Sequence, residues 1–108
     1  MSNSFEIGGA TVAMNVTNVA HAAVLVPGSI GSSLIVYNDV SSTGDVFIAF
    51  GASPGTVAVI PVDGAPAMGY PIAPGAAHDL TAPPGSYWSA ITSGANTATV
   101  YLTPGEGV

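Results

Sequence analysis

The chain has 108 residues, six Asp and Glu, two His and no Lys, Arg or Cys, giving a net charge of −6 at pH 7. This length makes one domain with enough chain to bury a core, and the lack of cysteine excludes a disulfide framework and any thiolate metal site. Nucleic-acid binding needs Lys and Arg to displace counterions from phosphates, and anionic membranes attract the same side chains, so neither a nucleic acid nor a membrane is expected as a partner.

Pro and Gly punctuate the chain at short intervals, and the runs between them are rich in Val, Ile, Thr, Tyr and Phe. This pattern predicts short strands joined by turns, and no stretch shows a sustained helical stripe. The expected fold class is all-β, an antiparallel β-sandwich or jelly-roll-like barrel of about eight short strands. Residues 1–9 read as an N-terminal arm and residues 10–108 as a single β-sandwich domain. "MSNSFEIGG" lacks the basic segment and apolar core of a signal peptide, which implies synthesis in the cytoplasm without export.

Taken in order, strands are expected at Phe5–Ile7, Thr11–Thr17, Ala22–Val26, Leu34–Asn38, Val46–Gly51, Val57–Pro61, His78–Thr81, Tyr87–Thr92 and Thr97–Thr103. The fourth and fifth read as a hairpin closed by "DVSSTGD", whose Asp, Ser and Gly favour turns. Strand periodicity puts Leu34, Val36 and Asn38 on one face and Ile35 and Tyr37 on the other. It likewise groups Val46, Ile48 and Phe50 opposite Phe47 and Ala49. Both faces are apolar at several positions, so the pair is expected either to be central in its sheet or to have one face covered by a neighbouring subunit.

Residues 61–85 contain six prolines and read as a long, stiff loop. Its apolar members Met68, Tyr70 and Ile72 are expected to cap the end of the sandwich or to meet another subunit.

Chemistry-bearing residues are sparse. His21 reads as a strand-edge residue and His78 as a solvated loop histidine. No Gly-x-Ser-x-Gly elbow supports a nucleophile, the ligand spacing of zinc sites is absent, and so is the alternating acidic cluster of a calcium loop. No catalytic residue, metal ligand or cofactor is therefore expected, and the chain does not read as an enzyme. Trp88, Tyr87, Tyr70, Tyr37 and Tyr101 are expected mainly in the core. The alternative is a platform for sugar rings, which would make the chain a carbohydrate-binding module.

Charged residues make up 6% of the chain and hydrophobic residues 48%. Ordinary domains carry about 25% charged residues. Such weak self-solubilisation suits a domain that hides surface in an assembly.

Two segments carry a resemblance. "IVYNDVSSTGDVFIAFG" and "YPIAPGAAHDLTAPPGSYWSAITSGANTATVYLTPGEGV" resemble small β-rich structural proteins of tailed bacteriophages, of the capsid decoration or cement type. The resemblance spans about residues 34 to 108 and consists of turns and β-residues rather than a catalytic signature. It implies a virion structural protein on the outer capsid surface that stabilises the shell by bridging capsid subunits. Its implied partners are the major capsid protein and other copies of itself, as a trimer or dimer. Phe5 and Ile7 of the arm, with Met68 and Tyr70 of the loop, are the expected interface residues. A phage tail, baseplate or fibre component would share the same composition.

Overall fold

The computed structural model describes residues 6–7, 9–26, 33–83 and 85–106. They form nine strands: β1 (Glu6–Ile7), β2 (Val12–Val16), β3 (Val24–Leu25), β4 (Ser33–Asn38), β5 (Val46–Gly51), β6 (Tyr70–Ile72), β7 (Ala77–Thr81), β8 (Tyr87–Thr92) and β9 (Ala98–Glu106). All pairings are antiparallel. One sheet runs β2-β9-β4-β7, with β1 pairing the far end of β9 on the β2 side. The other runs β3-β8-β5-β6.

Apart from the step from β5 to β6, each connection from β2 onward joins strands of opposite sheets. This order is the jelly roll, two Greek keys folded face to face. The expected fold class is thus the one observed. The register in β1 explains why the arm begins as a separate strand. Ile7 pairs with Gly105 and Val12 with Leu102, so four residues of one strand face two of the other, a bulge that interrupts the edge.

The expected face assignments hold. Leu34, Val36, Val46, Ile48, Val100, Leu102, Met14, Val16, Ile72 and Trp88 are all buried between the sheets. Trp88 is the largest core side chain and is fully covered. Its indole Nε1 finds no protein partner among the described residues, which costs roughly 1–3 kcal/mol against the large apolar area it buries.

The hairpin expectation fails. β4 and β5 lie in different sheets, and residues 39–45 carry the chain over the end of the sandwich. Turn-forming residues suit either geometry. What decides is that Leu34 and Val36 cover Val46 and Ile48 when the strands face each other across the core, whereas in one sheet they would only lie side by side. The crossing leans on the neighbouring crossing between β8 and β9. Asp39 N donates to Thr99 O at 2.9 Å and Thr43 N to Thr97 O at 2.9 Å. In return Thr97 N donates to Thr43 Oγ1 at 2.9 Å and Thr99 N to Ser42 Oγ at 3.1 Å.

A third crossing, residues 73–76 between β6 and β7, meets the first at Asn38. This side chain is fully buried, and its Nδ2 donates to Ile72 O at 2.9 Å and to Gly44 O at 3.3 Å. Its main chain accepts from Gly75 N at 2.7 Å and donates to Ala76 O at 3.1 Å. Gly75 holds φ at 81°, a conformation glycine adopts without a Cβ clash.

Two further expectations are corrected here. Val57–Pro61 is not a strand of either sheet, and residues 61–85 are not one loop. The latter contain β6 and most of the chain around β7. β6 escapes strand periodicity because it has three residues, one of them Pro71, which suits only an edge position.

Replacing Asn38 with Ala is expected to lower stability by about 1–3 kcal/mol, because it leaves the Ile72 carbonyl without that donor. Asn38→Asp is expected to cost more, since a carboxylate would face the same two carbonyls. Urea unfolding of the three proteins checks both the direction and the order.

Candidate functional site

No group of three or more His, Asp or Glu side chains gathers as metal ligands among the described residues. A cleft of about 250 Å3 at the end opposite the crossings is lined by residues such as Phe50, Ala52, Ala82 and Pro83. A second, of about 270 Å3, lies among Asn15, Thr17, Ser42, Thr97 and Thr99. Several of its polar groups already pair with neighbours: Thr99 Oγ1 meets Asn15 Oδ1 at 3.3 Å, and Ser42 Oγ and Thr97 N are engaged in the crossings. It reads as the seam between chain crossings.

Neither histidine stands alone. His21 precedes β3, where its amide donates to Ala90 O at 2.9 Å and its Nδ1 lies 2.8 Å from Ala22 O. That position beside β8 agrees with a strand-edge residue. His78 departs from the loop reading. It sits on β7 opposite Val36, with Nδ1 2.8 Å from the Tyr70 hydroxyl and the two rings edge-to-face at 5.4 Å. Tyr70 and His78 come from the edge strands of the two sheets, so their contact closes the open side of the sandwich between β6 and β7.

At the crossing end, the Asp39 carboxylate accepts hydrogen bonds from the Ser41 hydroxyl and from Ser41 N. The Ser41 side chain first, and then its amide, hold the Asp39 pKa below the ordinary 3.8. A lowered folded-state pKa means that the contribution of Asp39 to stability is complete above pH 3.8 and disappears as the pH falls through the lower folded value. Ser41→Ala is expected to move the Asp39 pKa up toward 3.8, read from the side-chain carboxyl resonance in an acid titration.

The most distinctive surface is the connection from β5 to β6, residues 52–69. It folds back over the outer face of the second sheet. Ala58 is buried, and its amide donates to Ser89 Oγ at 3.1 Å. Ser89 Oγ donates in turn to His21 O at 2.7 Å. Val59 N donates to Met68 O at 3.1 Å, and Val62 and Ala65 form an antiparallel bridge around the Asp63–Gly64 turn. The connection is therefore a narrow ribbon doubled on itself. It buries Ala49, which points away from the core, and so provides from the same chain the cover that an apolar outer face required.

The ribbon turns its larger apolar side chains outward. Val57, Val59, Val62 and Met68 are 54%, 49%, 63% and 56% exposed. Four exposed aliphatic side chains on one ribbon exceed the scattered single residues normal on a surface.

The expected interface residues are distributed unevenly over this frame. Phe5 lies outside the described residues. Ile7 is on β1, 70% exposed, at the lateral edge of the sandwich formed by β1, β2 and β3. Met68 is on the ribbon, and Tyr70 is exposed beside it at the opposite lateral edge. Ile7 and the Met68–Tyr70 pair therefore mark two separate places. Ile72 caps nothing, because it is fully buried in the core. Sequence reading missed Val57, Val59 and Val62. The alternation of Val57, Ala58 and Val59 was visible, but not that the whole segment would lie on top of a sheet instead of within one.

The aromatic residues also divide differently from expectation. Trp88 is in the core, but Tyr70 and Tyr101 are exposed and Tyr37 and Tyr87 half-buried. No protein-family model, curated protein or solved structure matches the chain.

The ribbon depends on a close approach at Gly69. A Cβ there would sit 2.2 Å from Val59 O, a backbone atom that cannot swing aside. Gly69→Ala is expected to lift the ribbon from the sheet and to destabilise the protein by about 1–3 kcal/mol. Faster proteolysis within residues 52–69, with the remaining strands still protected from hydrogen exchange, is the expected signature.

Proposed function

We propose that this chain is a virion structural protein, a decoration or cement protein on the outer surface of a bacteriophage capsid that stabilises the shell by bridging capsid subunits. The observation that carries this reading is the exposed apolar ribbon on a small acidic jelly roll without a single Lys or Arg. A domain with this surface is suited to permanent docking on protein and unsuited to the DNA side of a shell. The resemblance of residues 34–108 to small phage β-proteins supports the same reading, and the jelly-roll order is one that viral capsid domains use.

Bridging needs at least two contacts that do not coincide. The ribbon residues Val57, Val59, Val62 and Met68 supply one, and Ile7 at the opposite lateral edge supplies the other. The proposed partner at both is the major capsid protein. Each contact is small, and linking two of them through one rigid domain raises the effective concentration for the second. The net charge of −6 helps to keep unbound copies in solution.

Intact-protein mass spectrometry of purified virions tests this reading. Intact mass is required because trypsin finds no Lys or Arg to cut after. The expected result is a copy number of the same order as that of the major capsid protein. A handful of copies per particle places the protein in the tail instead, and absence from particles overturns the virion reading. On shells stripped of this protein, Val59→Asp and Ile7→Asp are each expected to weaken rebinding by about tenfold or more, and the double variant to abolish it. Thermal midpoints of the free proteins are expected to stay within a few degrees of the parent, as both side chains are exposed.

A further inference from the structure

The two sheets treat their outer faces in opposite ways. On the second sheet the outward residues Ala49 and Ser89 are buried, Ala49 beneath the ribbon. On the first sheet the outward residues of β2, β9, β4 and β7 remain exposed or half-exposed. Across the middle of that open face the register places four residues in one row: Ala13 opposite Tyr101, Tyr101 opposite Tyr37, and Tyr37 opposite Ala77. The two phenol rings are near-parallel, 17° between planes, with centroids 6.3 Å apart. An alanine on each side leaves their flanks open.

Polar groups surround the rings. One row along lie Thr103, Ile35 and Asp79, and on the other side lie Asn15 and Thr99. Thr103 pairs with Thr11 and Thr99 with Asn15. Among the described residues, neither phenol hydroxyl and neither oxygen of the Asp79 carboxylate has a hydrogen-bond partner. Asp79 is the charged group adjoining the row, and there is no Lys or Arg anywhere to attract an anion.

We propose that this face binds a neutral glycan, an uncharged chain of pyranose rings lying across Tyr101 and Tyr37. The C–H edges of a pyranose carry slight positive charge and suit the negative outer face of each ring of the stacked pair. Its hydroxyl groups can donate to Asp79 and exchange hydrogen bonds with the two phenols and the threonine rim. The charge pattern argues against the competing ligands: phosphates and acidic sugars would meet a face whose charge is negative. A protein partner would find two rings among alanines and threonines in a row roughly 14 Å wide at ordinary strand spacing. Along the nine residues of β9, about 30 Å, such a face covers on the order of 400 Å2, short of the ~800 Å2 per partner that a stable protein interface buries. The proposal does not rest on the capsid reading, because it uses the face away from the ribbon.

The test is a titration of the full chain with cellohexaose, laminarihexaose, mannohexaose and maltohexaose, followed by amide NMR shifts. At least one hexasaccharide is expected to shift residues of β4, β7 and β9 that flank Tyr37 and Tyr101. Tyr101→Ala and Tyr37→Ala are each expected to weaken that binding by about tenfold or more. Ala77→Gln raises a side chain beside the row without touching the core and is expected to weaken it as well, which keeps the test valid if a tyrosine variant folds poorly. The proposal is overturned if none of the four sugars shifts any residue, if the shifts map to residues 52–69, or if binding survives unchanged in the folded variants.

Discussion

Asn38 holds the point on which the rest of the jelly roll depends. A chain that keeps moving between two sheets must pass its backbone over the end of the core again and again, and every pass strands donors and acceptors away from a ladder. Asn38 stands where two of these passes meet. Its main chain engages Gly75 and Ala76, and its side chain reaches Ile72 and Gly44. A hydrophobic residue would fill the same space and keep the main-chain bonds, but it would leave the Ile72 and Gly44 carbonyls without that donor. The position is at the end of a strand whose other inward residues, Leu34 and Val36, are purely apolar. One amide therefore converts a core position into a junction, and the passes between β4 and β5 and between β6 and β7 are fixed relative to one another.

From that junction the two faces of the sandwich follow. With β5 and β6 held beside each other, the 18 residues between them have nowhere to cross and fold back on their own sheet. The backbone of the ribbon is anchored through Ser89 and through its own Val59–Met68 pairing, while the larger side chains turn out. The first sheet has no such excursion, so its tyrosines stay in the open. In a chain with six acidic side chains and no Lys or Arg, neither surface relies on ion pairs, and apolar and aromatic contacts are what each has to offer. One face suits a protein shell and the other a neutral, hydroxyl-rich ligand.

Much of this could be read along the chain because strand periodicity is local. Alternation in "SLIVYN" and "VFIAFG" separated inward from outward residues correctly, and two of the strands, Val46–Gly51 and Tyr87–Thr92, have the bounds expected from turn residues and β-branched content. Pairing partners were not legible. Asp, Ser and Gly in "DVSSTGD" permit a hairpin or a crossing equally, and the choice rests on hydrogen bonds to Thr97 and Thr99, more than fifty residues away. His78 read both as the first residue of the strand His78–Thr81 and as a solvated loop histidine, and pairing with Val36 bears out the strand. The aromatics misled for a related reason. A large side chain is assigned to the core by its size, but Tyr37 and Tyr101 fall on the outward phase of their strands, and phase outranks size once the sheet is formed.

By itself, then, the sequence determined an all-β domain with no cation to offer a phosphate, no cysteine to staple it and an inward face for most strands. These properties depend on composition and on neighbours two residues apart. The tertiary structure alone decided that β4 and β5 face each other, that residues 52–69 cover one sheet, and that Tyr37 and Tyr101 meet on the other. Each of those depends on groups distant in sequence competing for the same buried space and the same hydrogen bonds, and only the folded chain resolves that competition.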